Sequence, residues 1–448
     1  MEAVRNPFFH RGPIRQRDYF FNRQHEVGQA LGLLRSLQNV ALVGQRRIGK
    51  TSLLFQLADP SIHSDHGLSP AKYLFVYLNG EELTELDDGE IRSVMAEELA
   101  AALEAAGHRG PDLTPPEGPF EYRTFRHVVR RLTQRGLKLV FCFDEFEGLG
   151  ANPHLGPSFF SSLRGLTGQL DVAYITASRT PIHTLAYAQP ETLSSPFFNI
   201  FAPLHLGLFS DEDAQGLVET LATKGSATFD PDLVDLIMEL AGPHPLLLQI
   251  AGFHTFEAWR QRDGLLEEGD HAEIRHHFCA EAQPHYEYYW RHLTAEEQYA
   301  LATLPLAQHS QEQRRNLRSL EQQCLVTRRD DGHDYLSAAF QSFVRQQPVP
   351  DLLQAGPLVV DLRQRLASNQ GVPLSVTKTE LDALVYFLQH AGRVISPQEL
   401  EEALWPGEYV EDPERVRSLI KGLRKALGSE AGCLATKWGV GYLFQVPG

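Results

Sequence analysis

Ala41-Leu42-Val43-Gly44-Gln45-Arg46-Arg47-Ile48-Gly49-Lys50-Thr51-Ser52-Leu53-Leu54 has the spacing G-x-x-x-x-G-K-[ST]. The apolar run Val40 to Val43 before it predicts a buried strand, Asn39–Val43. Ser52, Leu53, Leu54 and Leu57 after it predict a helix that begins at Lys50. Strand, glycine loop and helix in that order make an anion site. The glycines let backbone N–H groups close around phosphate oxygens, and the helix aims its positive end at them. Residues Gly44, Gln45, Arg46, Arg47, Ile48, Gly49, Lys50, Thr51 and Ser52 are therefore candidate nucleotide contacts. Lys50 is placed for the β/γ-phosphates and the Thr51 hydroxyl for Mg²⁺.

Working outward, strands and helices alternate. Further strands are expected over 71–78, 137–143 and 172–177, with helices over 90–106 and 120–134 and a Pro/Gly-rich loop over 107–118. Continuous apolar strands between helices predict a parallel sheet covered on both faces. The third strand, Leu139-Val140-Phe141-Cys142-Phe143, ends in Asp144-Glu145. Paired with the phosphate loop, Asp144 is a candidate Mg²⁺ ligand and Glu145 a candidate base for the attacking water. The fourth strand ends Ser178-Arg179, and either residue could sense a γ-phosphate; a polar strand end is an equal reading.

From about Ser210 the strands stop. Amphipathic helices are expected over 211–222, 230–240 and 243–258, forming a lid. The expected division is a flexible lead-in over 1–16, a nucleotide core over 17–209, the lid over 210–284, a middle winged helix over 285–347, a linker over 348–356 and a C-terminal module over 357–448. The fold class is thus an α/β P-loop NTPase with a parallel sheet and helical lid, followed by two winged-helix (α+β) domains.

The 448 residues carry 41 basic and 57 acidic side chains, a formal charge of −16. That argues against nucleic-acid binding over the whole surface but allows one local basic element. The four cysteines form no C-x-x-C pair, which argues against a disulfide framework or a zinc ribbon. His271, His276, His277 and Cys279 read as the polar surface of a helix, ahead of a zinc site. No apolar run reaches eighteen residues and the N-terminus lacks the apolar core of a secretion signal, so a cytoplasmic protein without a membrane partner is expected.

Three stretches bear a family resemblance. Phe20-Phe21-Asn22-Arg23-Gln24-His25-Glu26-Val27 resembles the lead-in of STAND-class P-loop ATPases, which are related to AAA+ proteins. Ser195 to Ser210 resembles the stretch after their sensor strand. Ala241-Gly242-Pro243-His244-Pro245-Leu246-Leu247-Leu248-Gln249 resembles their G-G-H-P-x-L-L-Q segment. Asn22 and Pro243 depart from the glycines usual there. The resemblance implies ATP/ADP and Mg²⁺ as cofactors, a slow ATPase cycle and nucleotide-dependent homo-oligomers. It also implies that Arg23, His244 and Pro245 lie near the base.

Residues 357–448 resemble the winged-helix effector domain of OmpR-like response regulators. The resemblance rests on Thr377-Lys378-Thr379-Glu380-Leu381, Gly392-Arg393-Val394-Ile395-Ser396-Pro397, Leu404-Trp405-Pro406, Val416 to Gly428, and Thr436-Lys437-Trp438-Gly439-Val440-Gly441-Tyr442. It implies double-stranded DNA as partner. The residues themselves agree. Val416, Leu419, Ile420, Leu423 and Leu427 form an apolar helix face, which leaves Arg415, Arg417, Lys421, Arg424 and Lys425 outside it, with Ser418. Such a helix suits a major groove, and Lys437 on the wing could reach a phosphate. The expectation is an ATP-dependent switch that regulates transcription. Its rivals are a STAND-type signalling or defence ATPase whose winged helix binds a protein, and a replication-initiator-like ATPase.

Overall fold

The computed structural model describes residues 5–9, 11–108, 120–183, 196–304, 311–329, 332–369, 371–407 and 413–446. Most of the loop expected over 107–118 lies outside the described residues, as does Ser195. The chain divides into two compact units: Met1–Phe278 with Gln322–Cys324, and Cys279–Glu321 with Leu325–Gly448.

The first unit is built on five strands: β1 (Asn39–Val43), β2 (Tyr73–Asn79), β3 (Lys138–Asp144), β4 (Val172–Ser178) and β5 (Phe201–His205). Their order is β2-β3-β4-β1-β5, and every pair is parallel. Side chains alternate between two apolar layers. Leu139, Phe141 and Phe143 of β3 face one cluster, while Val140 and Cys142 face the other. Both faces are buried, so period-two polarity is lost and the strands read as apolar runs. β3 lies beside β4, as the two polar strand ends require. β5 was not expected: Pro203 interrupts it, and an edge strand tolerates the missing N–H.

Helices cover both faces, and their starts are chemically marked. Asp87 caps Asp88–Ala105 with Glu90 in a reciprocal capping box. Ser210 caps Asp211–Lys224, and Asp230 caps Pro231–Ala241 with proline at its first position. Pro245–Gln261 follows, then Glu268–Arg291. That last helix is continuous through Pro284, so the boundary expected at 284/285 falls inside an element.

The flexible lead-in expected over 1–16 needs correction. Asn6 Nδ2 donates to Phe253 O (3.0 Å) and to Glu257 Oε1 (2.8 Å). Phe8 is fully buried, stacked on Phe229 at 6.1 Å. Its ring fills the space over Gly252, where a Cβ would come within 2.3 Å of it. An aromatic side chain in a fitted cleft outweighs the entropy of two prolines' worth of loop.

After the last part of the helix Glu268–Arg291, the second unit holds Ala295–Ala302, Gln311–Gln322, the hairpin β6 (Val326–Arg329) and β7 (Gly332–Tyr335), and Ala338–Arg345. A four-stranded antiparallel sheet follows: β8 (Leu352–Ala355), β9 (Leu358–Asp361), β10 (Leu366–Asn369) and β11 (Val372–Pro373). The linker expected over 348–356 is therefore corrected as well. β8 pairs with β9, and Ala355 lies in the C-terminal module's core. Then come Lys378–Gln389, β12 (Val394–Ile395), Pro397–Leu404, Pro413–Leu427, β13 (Leu434–Lys437) and β14 (Gly441–Phe444), with sheet order β12-β14-β13. The Thr377-x-x-Glu380 signature works as a capping box: Thr377 N donates to Glu380 Oε2 at 2.7 Å. Among the described residues, no helix is long and apolar enough to cross a membrane.

Candidate functional site

Three strand ends meet at one corner of the first unit. β1 runs into the loop Gly44–Gly49, where Arg47 (φ 67°) and Gly49 (φ 105°) take left-handed backbone. A Cβ at Gly44 would come within 2.7 Å of Leu206 O, so only glycine lets the loop pass β5's exit. The helix Lys50–Ala58 starts there, its first N–H groups turned to the loop. Lys50 is buried, and its Nζ donates to Gly44 O (2.8 Å) and Gln45 O (3.2 Å). Burial holds this ammonium below the usual lysine range, while Glu145, Glu147 and Asp144 pull it back up.

β3 delivers the acids. Asp144 is 3% exposed; its Oδ2 accepts from Tyr77 Oη at 2.9 Å and its Oδ1 from Glu145 N at 3.1 Å. Glu145 sits at φ 44°, a left-handed conformation that a side-chain-bearing residue adopts at a cost. Two glycines make the bend possible. A Cβ at Gly80 would meet Glu145 O at 2.4 Å, and one at Gly148 would meet Gly80 O at 2.5 Å. The Glu145 carboxyl is pushed up by burial and by the charges of Glu147, Asp144 and Glu81, against the pull of Lys50. A carboxylate raised in this way binds a proton more readily than an exposed one, which suits a base.

β4 ends differently for its two candidates. Ser178 is fully buried and its Oγ donates to Thr180 O at 2.7 Å, so its hydroxyl is committed to the turn. Arg179 is partly exposed; its N–H and its guanidinium both reach Glu147, the latter at 3.7 Å. Of the pair, Arg179 is the cation near Lys50 and the acids.

A cavity of about 330 Å³ opens at this corner, and its walls include Lys50, Thr51, Asp144 and Glu145. Arg23, Arg46, Arg47, Ile48, Gly49, Ser52 and Pro245 also line it. Arg23 donates to Gly207 O (2.6 Å), pairs with Glu26 (2.9 Å) and lies over the Phe209 ring at 4.7 Å. His244 is fully buried at the N-cap of Pro245–Gln261; it and Gly44, Gln45, Ser178 and Arg179 are not among the walls. Sequence reasoning missed several wall residues. Arg11, Pro13 and Ile14 come from the N-terminal segment, with Ile14 N donating to Ser52 Oγ (2.9 Å) and Arg47 Nη1 to Arg11 O (3.0 Å). Tyr77 and Gln249 are also walls. The aromatic pair Phe8-Phe9 is the signal that could have distinguished that segment from a tail.

The helix Pro413–Leu427 carries a second candidate surface. Val416, Ile420, Leu423 and Leu427 are buried, and Arg417, Ser418, Lys421 and Lys425 are exposed. Arg417, Lys421 and Lys425 follow one another at four-residue spacing, so they form a single stripe. Arg417 pairs with Glu414 at 2.5 Å. Two expected DNA contacts are otherwise engaged. Arg415 stacks on Trp405, 3.9 Å from the ring centre. Arg424 donates to Leu434 O (3.0 and 2.6 Å) and to Thr436 Oγ1 (2.8 Å), which fastens β13 to the helix. Lys437 is exposed at the end of β13.

Comparison with known proteins matches two stretches of the chain. Residues 38–308 match the family model described as Novel STAND NTPase 2, and residues 371–444 match that of the transcriptional regulatory protein C-terminal domain. The two-component response regulator PhoP of Pseudomonas aeruginosa is 31% identical over 113 residues, covering 24% of this chain and 50% of that protein. The transcriptional regulatory protein CrdR of Helicobacter pylori is 34% identical over 112 residues, covering 25% and 48%. The chain thus spans about half the length of these relatives. The Walker-type ATPase PABY2304 of Pyrococcus abyssi shares the fold, with a TM-score of 0.56 at 14% identity over 75% of this chain and 99% of that one.

Proposed function

This chain belongs to the Novel STAND NTPase 2 family, and from that premise we propose that it is a cytoplasmic ATP-dependent switch controlling DNA binding by its C-terminal winged helix. The observation that carries the reading is the convergence of Lys50, Thr51, Asp144 and Glu145 on one cavity, in a chain that also holds the Arg417–Lys421–Lys425 stripe. The Thr51 hydroxyl and the nearly buried Asp144 carboxylate are hard oxygen donors, which fits Mg²⁺. When bound, that ion would neutralise charge on the β- and γ-phosphates.

The chain's own residues divide the remaining work. The loop Gly44–Gly49 cradles the phosphates, and Lys50 swings from its two carbonyl partners to a phosphate oxygen. Glu145 takes a proton from the attacking water, and Arg179 faces the γ-phosphate side. Arg23 and Pro245 flank the base end of the cavity. ATP promotes self-association, and hydrolysis, slow by design, resets it. Assembly multiplies modest duplex contacts into firm binding without any new contact.

Sizing and gel retardation of the full chain with ADP, then with a non-hydrolysable ATP analogue, test this reading. Assembly and DNA retardation are expected only with the analogue, and Lys50→Ala should abolish both together with ATP binding. Equal assembly and retardation in the two nucleotides, or normal assembly of Lys50→Ala, would refute it.

A further inference from the structure

We propose that the arginine face of the helix Tyr122–Gln134, in the nucleotide-binding unit, is a second duplex-binding surface that grips DNA phosphates without reading sequence. The inference rests on duplex DNA being the partner. The stretch from Tyr122 to Lys138 holds six Arg and Lys side chains, with His127 among them, and no acid. The chain as a whole carries a formal charge of −16, which leaves the residues outside this stretch at −22. A polyanion approaching such a chain is repelled except where cations are gathered locally.

The helix holds its cations outward. Phe125, Val129 and Leu132 are buried in the core, with the Phe125 ring 6.2 Å from that of Phe141 on β3. At 100° per residue the other side carries Arg123, Arg126, His127, Arg130 and Arg131. Arg123, His127 and Arg131 are exposed, while Arg126 and Arg130 are half-buried. Arg126 donates to Gln169 Oε1, which ties this face to the chain just past the helix Pro157–Thr167. Among the described residues, Arg123 and Arg130 have neither an ion pair nor a side-chain hydrogen bond.

This composition works against the helix itself. Arg123 and Arg126, Arg126 and Arg130, and Arg131 and Arg135 are like charges three or four residues apart, a spacing at which they repel. Arg123 also lies in the first turn, where the helix dipole favours an acid, and that turn has none. The helices Asp88–Ala105 and Asp211–Lys224, by contrast, both open on acids. A helix that breaks these local rules with no internal anion to offset them points to an anion supplied from outside.

Charge, length and chemistry select a duplex as the occupant. From Arg123 to Arg135 the chain rises about 18 Å along the helix, and a duplex of that length carries roughly ten phosphate charges. Five of the six cations are arginine, whose planar fork takes phosphate oxygens two at a time. A membrane surface suits the helix less well. An interfacial helix inserts its apolar face, and here that face is already packed into the core. Arginines on the side of a helix meet the backbone and not the base edges, so sequence preference stays with the C-terminal module.

The test uses the full chain with a non-hydrolysable ATP analogue and two labelled duplexes, one that the wild type has selected from a random pool and one of unselected sequence. Arg123→Gln together with Arg130→Gln removes two phosphate partners and keeps good helix formers. The pair should weaken binding of both duplexes by the same factor, roughly tenfold at low salt, and lower the slope of log affinity against log salt by about two. Preference for the selected duplex should not change. Arg123→Lys together with Arg130→Lys keeps the charge and should keep the wild-type slope, which separates lost contacts from a damaged fold. An unaltered slope and affinity in the glutamine pair would overturn the surface and leave the DNA reading standing, and so would a slope that falls equally in the lysine pair. Loss of binding to acidic vesicles or to a protein partner, with duplex affinity unchanged, would overturn it in favour of that partner. Duplex affinity that needs both arginines but is equal in ADP and the analogue would uphold the surface and sink the nucleotide switch. If the wild type binds neither duplex, both readings fall.

Discussion

Tyr77 on β2 donates its phenol to Asp144 on β3 at 2.9 Å, two residues before Asn79, the register partner of Asp144. Burial and the neighbouring carboxylate push the phenol's ionisation well above its ordinary value, so Tyr77 remains a donor throughout the physiological range. The hydroxyl thereby fixes the rotamer of the carboxylate proposed to hold Mg²⁺. Partners of this kind commonly shift metal affinity by about tenfold or more. Tyr77→Phe should raise the Mg²⁺ concentration needed for half-maximal phosphate release by roughly tenfold, with nucleotide binding in chelator unchanged. An unaltered or lower Mg²⁺ requirement would show that the bond is incidental.

Glu145 gives a pH dependence with a definite sign. Its carboxyl is raised first by burial, then by Glu147, Asp144 and Glu81, with Lys50 opposing. Hydrolysis should therefore fail on acidification at a pH above the usual glutamate range of about 4.3. Glu147→Gln removes a like charge and should move that acid limb downward. Stability follows the opposite course. A raised carboxyl favours the protonated form in the folded state, so ionised Glu145 costs stability once the pH exceeds its unfolded value. Glu145→Gln should melt higher than wild type at pH 7, with the gap closing as the pH falls below the ordinary carboxylate range. A gap of constant size across that range would contradict the assignment.

Much of the core was legible because β1 to β4 are unbroken apolar runs that end in chemistry-bearing residues, and such runs have few alternative foldings. What escaped notice depends on partners distant in sequence. Tyr77 reads as strand packing until β2 is laid beside Asp144. Phe8 reads as part of a proline-marked tail until Gly252 and Phe229 form its cleft. Leu352–Ala355, between Pro350 and Gly356, reads as a linker because a four-residue strand carries too little periodicity to outweigh its flanking turn residues. Arg424 counts as one more cation on a basic helix until β13 takes up its guanidinium. In each case local pattern was overruled by a tertiary neighbour.

Gln249 is 3% exposed and lines the nucleotide cavity, and among the described residues neither its Nε2 nor its Oε1 has a hydrogen-bond partner. A buried polar group left unmet costs about 1–3 kcal/mol. Leucine has nearly the same reach and nothing to satisfy. Gln249→Leu should therefore raise the melting temperature of the nucleotide-free protein by a few degrees. It should also reduce the further rise on adding ATP, the outcome expected if the ligand supplies partners to the wild-type amide. A lower melting temperature without nucleotide would mean that the amide is already satisfied.

Tyr299 and Asp361 join the two halves of the second unit. Tyr299, on Ala295–Ala302, donates to the fully buried Asp361 Oδ2 at 2.5 Å, while Asp361 Oδ1 accepts from the N–H groups of Arg363 and Gln364, each at 2.9 Å. Arg363 lies over the Tyr299 ring at 4.4 Å and reaches Glu296 (3.0 Å) and Asp351 (2.8 Å). Burial, then the bond to Asp361, pushes the Tyr299 phenol up to about 12, against about 10 in an unfolded chain. Between those values the unfolded state has lost the proton and the folded state has kept it, so unfolding is favoured progressively. The stabilisation is complete below pH ~10 and is spent by the time the pH passes the folded value. Tyr299→Phe removes a hydrogen bond to a buried charge and should cost about 1.5–3 kcal/mol at pH 8. By pH 12 the deficit relative to wild type should have nearly vanished. Chemical denaturation of the two proteins at both pH values checks this, and a deficit that persists undiminished at pH 12 would rule out the proton of Tyr299 as the link between the two modules.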